Sequence, residues 1–164
     1  MAGLSGHLTR KVVELLMEPK DGVDIRVAAI QDGAGEMPLS PVRDVIMQNA
    51  GVETVDKAGN AKYPALCIYC EKLSNTLKEK FRAFSGKASV VVEIRYSQDH
   101  LEAIESRLQV YVDAVCALLG ESKGDWQNGI FYTGGYEVSY EAATKGGKNY
   151  LQRAKVKFEV EVSR

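Results

Sequence analysis

The sequence has few cysteines, no long apolar run and no excess of charge of either sign. Its three cysteines are an odd number, and residues 1–10 lack the basic and then apolar pattern of a secretory signal, so we expect reduced thiols in a reducing compartment. No apolar run approaches the roughly 20 residues of a membrane-spanning helix, so we expect no membrane association. Lys and Arg number 21 against 22 Asp and Glu, which excludes attraction of the whole chain to nucleic acid but leaves room for a local basic patch.

A motif for catalysis or metal binding is also missing. Cys67 and Cys70 match C-x-x-C, but they fall within a predicted strand, where residues three apart point to opposite faces. His100 beside Asp99 is a neighbour pair in sequence and not a catalytic triad, which needs distant elements to converge. Gly33–Gly35 lacks the third glycine and the preceding strand of a dinucleotide fingerprint. We therefore expect no enzyme, no metal and no cofactor.

The 164 residues fit a single domain, residues 1–164. Helical spacing predicts a first helix that includes Leu8–Leu16 and a weaker second helix over Val23–Ile30. Ser40-Pro41 is typical of a helix start and predicts a third helix that ends at Gly51. Val52–Lys62 is polar and predicts an exposed loop. Residues 19–62 are thus expected to form a helical and loop insertion.

From Tyr63 the hydrophobic period changes. Tyr63–Leu73 predicts a buried strand, while Thr76–Ser85 fits a helix or a strand. Ala88–Tyr96 alternates apolar and polar residues and predicts a strand with one buried face. Asp99 and Glu102 have the spacing of a capping box that opens the longest helix. An apolar stripe then predicts about 30 Å of helix ending at Gly120, its members being Leu101, Ile104, Leu108, Val112, Val115 and Leu119.

The last 35 residues predict a long hairpin with its turn at Thr144–Asn149. Centring the turn on Gly147 places Val138 opposite Val156 and Tyr136 opposite Phe158 on the core face. On the outer face the same register places Glu141 opposite Arg153 and Glu137 opposite Lys157. The fold class is therefore α+β, with a mixed, largely antiparallel sheet, a long helix packed across one face, and N-terminal helices.

Two surfaces of this hairpin are candidate sites. The outer face carries charges that suit pairing between copies of the chain, although such a face is also compatible with simple solvation. Its candidate interface residues are Glu137, Glu141, Arg153, Lys155 and Lys157. The turn carries two lysines on a flexible segment, which suits contact with nucleic acid or simple solvation. Its residues are Lys145, Gly146, Gly147 and Lys148.

The order of elements carries a family resemblance. An N-terminal helix, a strand that begins Tyr63-Pro64-Ala65-Leu66, a second strand segment, a long helix and a terminal hairpin follow one another. Over residues 4–17 and 63–163 this layout resembles the tail-terminator, or tail-completion, proteins of long-tailed bacteriophages. Residues 19–62 lie outside the resemblance.

The resemblance implies a structural virion protein without catalytic residues. Such a protein forms a ring, expected to be a hexamer, at the head-proximal end of the tail tube. It ends tube polymerisation and joins the tail to the head. The implied partners are further copies of the chain, the tail tube protein, the head–tail connector protein and DNA in passage. The implied location is the virion neck, after assembly in the host cytoplasm.

A second class of protein is also compatible with these elements. A small-molecule or regulatory binding module on a ferredoxin-like α+β fold has a similar content of helices and strands. It needs a concave pocket with convergent polar groups and is expected to be a monomer or dimer. The size of the assembly separates the two alternatives.

Overall fold

A computed structural model describes residues 3–31, 38–52 and 61–164 of the chain. In those ranges the chain forms three helices and eight strands, which confirms the predicted α+β class. The helices are α1 (Leu4–Leu16), α2 (Val23–Gln31) and α3 (Ile104–Glu121). The strands are β1 (Asp44–Ile46), β2 (Ala65–Asn75), β3 (Ser85–Gln98), β4 (Gly124–Asp125), β5 (Ile130–Tyr132), β6 (Glu137–Tyr140), β7 (Thr144–Gly146) and β8 (Asn149–Ser163). No helix in the described ranges is long and apolar enough to span a membrane.

The strands form one mixed sheet in the order β1-β2-β3-β8-β5-β4. Strands β6 and β7 pair with β8 farther along its length, on the same edge as β5. Strand β1 is parallel to β2, and the other pairings are antiparallel. Strand β3 pairs with β8 along its whole length of 14 residues, so these two strands form the centre of the sheet.

The three helices lie on one face of this sheet. Helix α3 packs across β3 and β8, α1 packs against β2, and α2 packs against α3. The predicted stripes provide the contacts, since Leu8, Val12 and Leu16 of α1 are fully buried. Each such aliphatic side chain contributes about 1.5–3 kcal/mol by leaving water, which makes this layer the main apolar core.

The predicted third helix over Ser40–Gly51 is wrong. Residues Asp44–Ile46 instead form β1, which pairs with Ala65–Cys67 of β2. Just before β1, the backbone donates a hydrogen bond to a side chain of α2: the Val42 N–H lies 2.8 Å from the Asp24 carboxylate, which accepts it. A β-branched run beside a free sheet edge gains more from strand pairing than from a short helix.

The region 19–62 therefore adds a strand to the sheet and is not only a helical and loop insertion. The second predicted helix is confirmed as α2, although Ile30 at its end is exposed. Of the loop predicted over Val52–Lys62, residues 53–60 lie outside the described residues, as do Gly33–Gly35.

The capping box predicted at Asp99 and Glu102 is also wrong. Helix α3 begins at Ile104, and the Asp99 carboxylate instead pairs with His100 Nδ1 at 2.6 Å. The amide of the buried Gln98 holds this turn, since its Nε2 donates to the carbonyls of His100 and Glu102, both at 2.7 Å. The last residue of β3 thus sets, through local hydrogen bonds, the turn that residue spacing assigned to the helix.

The later helix start changes the predicted stripe at one position. Leu101 is 54% exposed, whereas the other five members from Ile104 to Leu119 are buried. The helix is about 27 Å long and includes Gly120, ending one residue later at Glu121. The stripe is confirmed from Ile104 onward.

The strand predicted over Ala88–Tyr96 is confirmed, but its single buried face is not. Strand β3 is buried on both faces, because Val91, Glu93 and Arg95 are only 2%, 3% and 2% exposed. Alternating polar residues predicted a wet face here. The second face is instead closed by charged neighbours, as described below.

The hairpin register is confirmed where β6 pairs with β8. Glu137 lies opposite Lys157 and Val138 opposite Val156, and the Glu141 N–H donates to the Arg153 carbonyl at 3.0 Å. Beyond it β7 is displaced by one residue, with Gly146 opposite Asn149, so an extra residue is accommodated between β6 and β7.

One hairpin position departs from the prediction. Phe158 is buried as expected, but Tyr136 does not lie opposite it in the core and is 44% exposed. Between Tyr132 and Glu137 the chain leaves β8, which interrupts the ladder at this point.

The ambiguous segment Thr76–Ser85 forms neither a helix nor a strand before Ser85. Residues 76–84, the β2–β3 tip, connect β2 to β3. Leu77 and Phe81 have φ angles of 49° and 66°, in the left-handed region. Such a backbone costs about 1–2 kcal/mol for a residue with a side chain.

The exposure difference along the α3 stripe gives a stability prediction. Leu108→Ala leaves a cavity in the helix layer and is expected to lower the free energy of unfolding by about 2–5 kcal/mol. The matched change Leu101→Ala removes an exposed side chain and should alter it by less than about 0.5 kcal/mol. Urea unfolding measures both, and equal losses would show that α3 is packed in another phase.

An ion-pair cluster joins α2 to the end of α3. Arg26 Nε lies 2.8 Å from Asp21 Oδ1, and Arg26 Nη1 donates to Glu121 Oε1 at 2.9 Å. These hydrogen bonds from Arg26 lower the pKa of both carboxyl groups. Such carboxyl groups stabilise the fold at pH values above their ordinary pKa values of 3.8 and 4.5. This stabilisation is lost as the pH falls through the lowered pKa values of the folded state.

Arg26→Gln is therefore expected to be less stable than the native chain near neutral pH. The difference should shrink as the pH falls below about 4, because the carboxyl groups become neutral in both proteins. Thermal melts between neutral pH and about pH 2 measure it. A difference independent of pH would contradict a role for these two carboxylates.

Candidate subunit interface

The five charged residues predicted on the outer hairpin face lie together in the structure. They occupy the sheet face opposite the helices, which we name the charged face. Alternate residues of one strand share a face, so Arg153, Lys155 and Lys157 of β8 align there with Glu137 of β6 and with Glu141 just after it. The candidate residues thus form one continuous surface.

The centre of the charged face is a buried ion pair that sequence reasoning missed. Arg95 Nε donates to Glu93 Oε2 at 2.6 Å, and both side chains are less than 5% exposed. Arg153 and Lys155 each bring a nitrogen to 4.0 Å from Glu93 Oε1. A buried carboxylate is tolerated only when it is paired, so these cations allow Glu93 to remain inside the fold.

The segment after β1 closes this centre. Arg95 donates a hydrogen bond to the carbonyl of Ala50, and the Cys67 thiol lies 2.9 Å from the carbonyl of Gln48. Burial raises the pKa of Cys67, which keeps its thiol protonated and weakly nucleophilic. Strand β1 therefore matters to the charged face, since it leads the chain over Glu93 and Arg95.

Cys67 and Cys70 occupy opposite sides of β2. Cys67 faces Gln48 on the charged face, whereas Cys70 packs against the core under the helices. Their thiols are free, as is that of Cys116. Across the described residues, no group of three or more His, Cys, Asp or Glu side chains is arranged to hold a metal.

The outer part of the charged face is a set of ion pairs between strands. Glu141 accepts a hydrogen bond from Arg153 and lies 3.9 Å from Lys155. Lys157 Nζ lies 2.5 Å from Glu71 Oε2 of β2, which raises the pKa of the lysine. Four of the five charges predicted to pair between copies, Glu141, Arg153, Lys155 and Lys157, are thus already paired within one chain, and among the described residues Glu137 forms no ion pair.

These pairs remain accessible to a partner. Their side chains are 33% exposed at Arg153, 39% at Lys155 and Glu141, and 46% at Lys157. Internal pairing holds long side chains in fixed positions, so a neighbour that contacts them loses less conformational entropy. The face therefore offers a fixed pattern of charges rather than free ions.

The second candidate site is the exposed end of the hairpin. Lys145, Gly146, Gly147 and Lys148 are all exposed around the turn between β7 and β8. Gly147 has φ +68°, which a glycine adopts without the cost of a Cβ. The Lys145 ammonium lies 5.5 Å from the centroid of the Tyr150 ring, which steadies one of the two lysines.

Comparison with known proteins finds no family model and no curated protein that matches the chain.

The buried centre of the charged face gives the prediction for this site. Glu93→Gln removes the charge that compensates Arg95 and should lower the free energy of unfolding by about 3–5 kcal/mol. The control Glu159→Gln, at an exposed residue that pairs with Lys87, should cost no more than about 1 kcal/mol. The double change Glu93→Met/Arg95→Met removes both charges and should cost less than Glu93→Gln alone. A double variant less stable than Glu93→Gln would contradict the pairing.

Proposed function

We propose that the protein is a structural virion component, a tail terminator that forms a ring, most simply a hexamer, at the head-proximal end of a bacteriophage tail tube. The ring ends polymerisation of the tube and provides the surface on which the head connector docks. Its partners are further copies of this chain, the tail tube protein and the connector protein. The role is structural and not enzymatic.

One observation carries the proposal: the charged face presents fixed, half-exposed ion pairs across several strands. Glu71, Lys157 and Glu137 follow one another across β2, β8 and β6 with alternating sign. A neighbouring copy with the complementary order is attracted, and a shifted copy brings like charges together. Such a surface favours one register, which a closed ring requires.

The rest of the surface is compatible with ring formation. A ring of identical subunits uses a heterologous interface, in which one surface meets a different surface of the next copy. The net charge of −1 keeps repulsion between copies low. Lys145 and Lys148 would lie at the edge or lumen of the ring, where DNA in passage brings its phosphates close.

A charge exchange tests the charged face as an interface. Glu71→Lys/Lys157→Glu keeps an opposite-charge pair within the chain but inverts its polarity toward a neighbour. The variant should retain the native melting temperature to within a few degrees, because the internal pair re-forms and offsets the like-charge contact that the exchange creates opposite Glu137. In a phage whose own gene for this chain is inactivated, it should fail to restore normal tails.

The inactivated phage itself is expected to give tubes of irregular and excessive length that lack heads, and the native chain should restore uniform, joined tails. Electron micrographs of purified particles measure tube length and head attachment. Tails of normal length in the absence of the chain would overturn the proposed function. Full restoration by the exchanged variant would reject the charged face as the interface.

A further inference from the structure

The β2–β3 tip exposes apolar side chains that no other described residue covers. Phe81 is fully exposed and Leu77 is 62% exposed, both on left-handed backbone. Three cations, Lys78, Lys80 and Arg82, are their neighbours in sequence, and the one anion, Glu79, lies 3.7 Å from Arg82, which leaves Lys78 and Lys80 as the basic residues of the tip. A soluble protein gains nothing within its own fold from a strained, exposed phenylalanine, so this feature indicates a contact with another molecule.

The tip is held in place at its base. Asn75 Oδ1 accepts from the N–H groups of Leu77 and Ser85, at 3.2 and 3.0 Å. Phe84 and Arg164 exchange two backbone hydrogen bonds, at 2.8 and 2.9 Å. Phe81 is therefore presented by a braced loop, which lowers the entropy cost of binding.

On the opposite side of β8 lies an uncovered groove, which we name the edge groove. It has a volume of about 440 Å³ and forms where the chain leaves β8 between β5 and β6. Gly135, Tyr136, Glu137 and Phe158 are among its lining residues. A groove of this size is within the range of small-ligand pockets and is large enough for a phenyl ring.

The edge groove differs from the tip in charge. Glu137 is exposed, and in the described part of the chain no lysine or arginine forms an ion pair with it. Lys157 also lines the groove, but its ammonium is held by Glu71. The half-exposed ring of Tyr136 offers a face to a cation. An acidic and aromatic groove thus complements a basic tip that ends in phenylalanine.

We propose that the β2–β3 tip of one copy inserts Phe81 into the edge groove of the next copy, with Lys78 and Lys80 against Glu137. This inference rests on the proposed function, because the contact is placed between neighbouring copies of the proposed ring, at the border of the charged face. The tip and the groove belong to different strands, so the contact is heterologous and joins copies head to tail.

Removal of the phenyl ring is the first test. Phe81→Asn keeps a residue that tolerates left-handed backbone, so the melting temperature should be unchanged or higher. Sedimentation of the purified chain should show self-association weakened by at least about tenfold, since a buried aromatic anchor is lost. The matched control Leu101→Asn removes an exposed leucine from the other end of β3 and should leave self-association unchanged.

Charge reversal is the second test. Lys78→Glu/Lys80→Glu and Glu137→Lys should each weaken self-association, and a chain with all three changes should recover to within about threefold of the native chain. Native-like association of Phe81→Asn, or no recovery in the combined variant, would overturn the inference. So would a native chain that stays monomeric at its highest soluble concentration. If Phe81→Asn loses binding to phosphatidylcholine–phosphatidylserine vesicles but self-associates as the native chain does, the inference is overturned in favour of contact with a membrane.

The two proposals fail in different ways. If Phe81→Asn restores normal tails to the inactivated phage, the tip contact is rejected and the terminator function stands. If the variant with all three charge changes recovers self-association but the native chain is absent from virions, the terminator function is rejected and the tip contact stands.

Discussion

The pairing of β3 with β8 is the interaction on which the rest of the structure depends. It joins residues 85–98 to residues 150–163, and its β3 strand is largely buried on both faces. On one face the helices cover it with apolar side chains, and on the other Glu93 and Arg95 close it with an ion pair. Strands β2, β5, β6 and β7 pair directly with this ladder, and β1 and β4 join the sheet through β2 and β5. Loss of the ladder would therefore remove both candidate surfaces together.

The charged face shows a balance between internal stability and recognition. Burying Glu93 and Arg95 is costly, and continuum arguments favour an apolar pair of similar volume for stability alone. The arrangement nevertheless fixes Arg153, Lys155 and Glu141 around a common centre. In the proposed ring, charges whose positions are set in advance would favour one register between neighbouring copies.

Hydrophobic periodicity within a single helix or strand predicted the fold well. Contacts between separate elements left no comparable pattern in the sequence and were not predicted. The stripe of α3 from Ile104 onward and the pairing of Glu137 with Lys157 follow from residue spacing, and the structure confirms both, although the register next to the turn is displaced by one residue. Strand β1 depends on the free edge of β2, and the exposure of Leu101 depends on hydrogen bonds from Gln98. The β1 pairing joins residues far apart in sequence, such as Asp44 and Ala65, and the Gln98 bonds, although local, have no hydrophobic periodicity that would predict them. The burial of Glu93 was not predicted, because its alternation with Val92 and Ile94 is typical of a strand with one solvent-exposed face.

A reconstruction of the assembled particle would show whether copies of this chain join through the charged face and its border, as proposed. We expect six copies in a closed ring at the head–tail junction, with Glu71 and Lys157 at each contact between neighbours. Absence of the chain from that junction, or a ring whose charged faces point only to solvent, would contradict it.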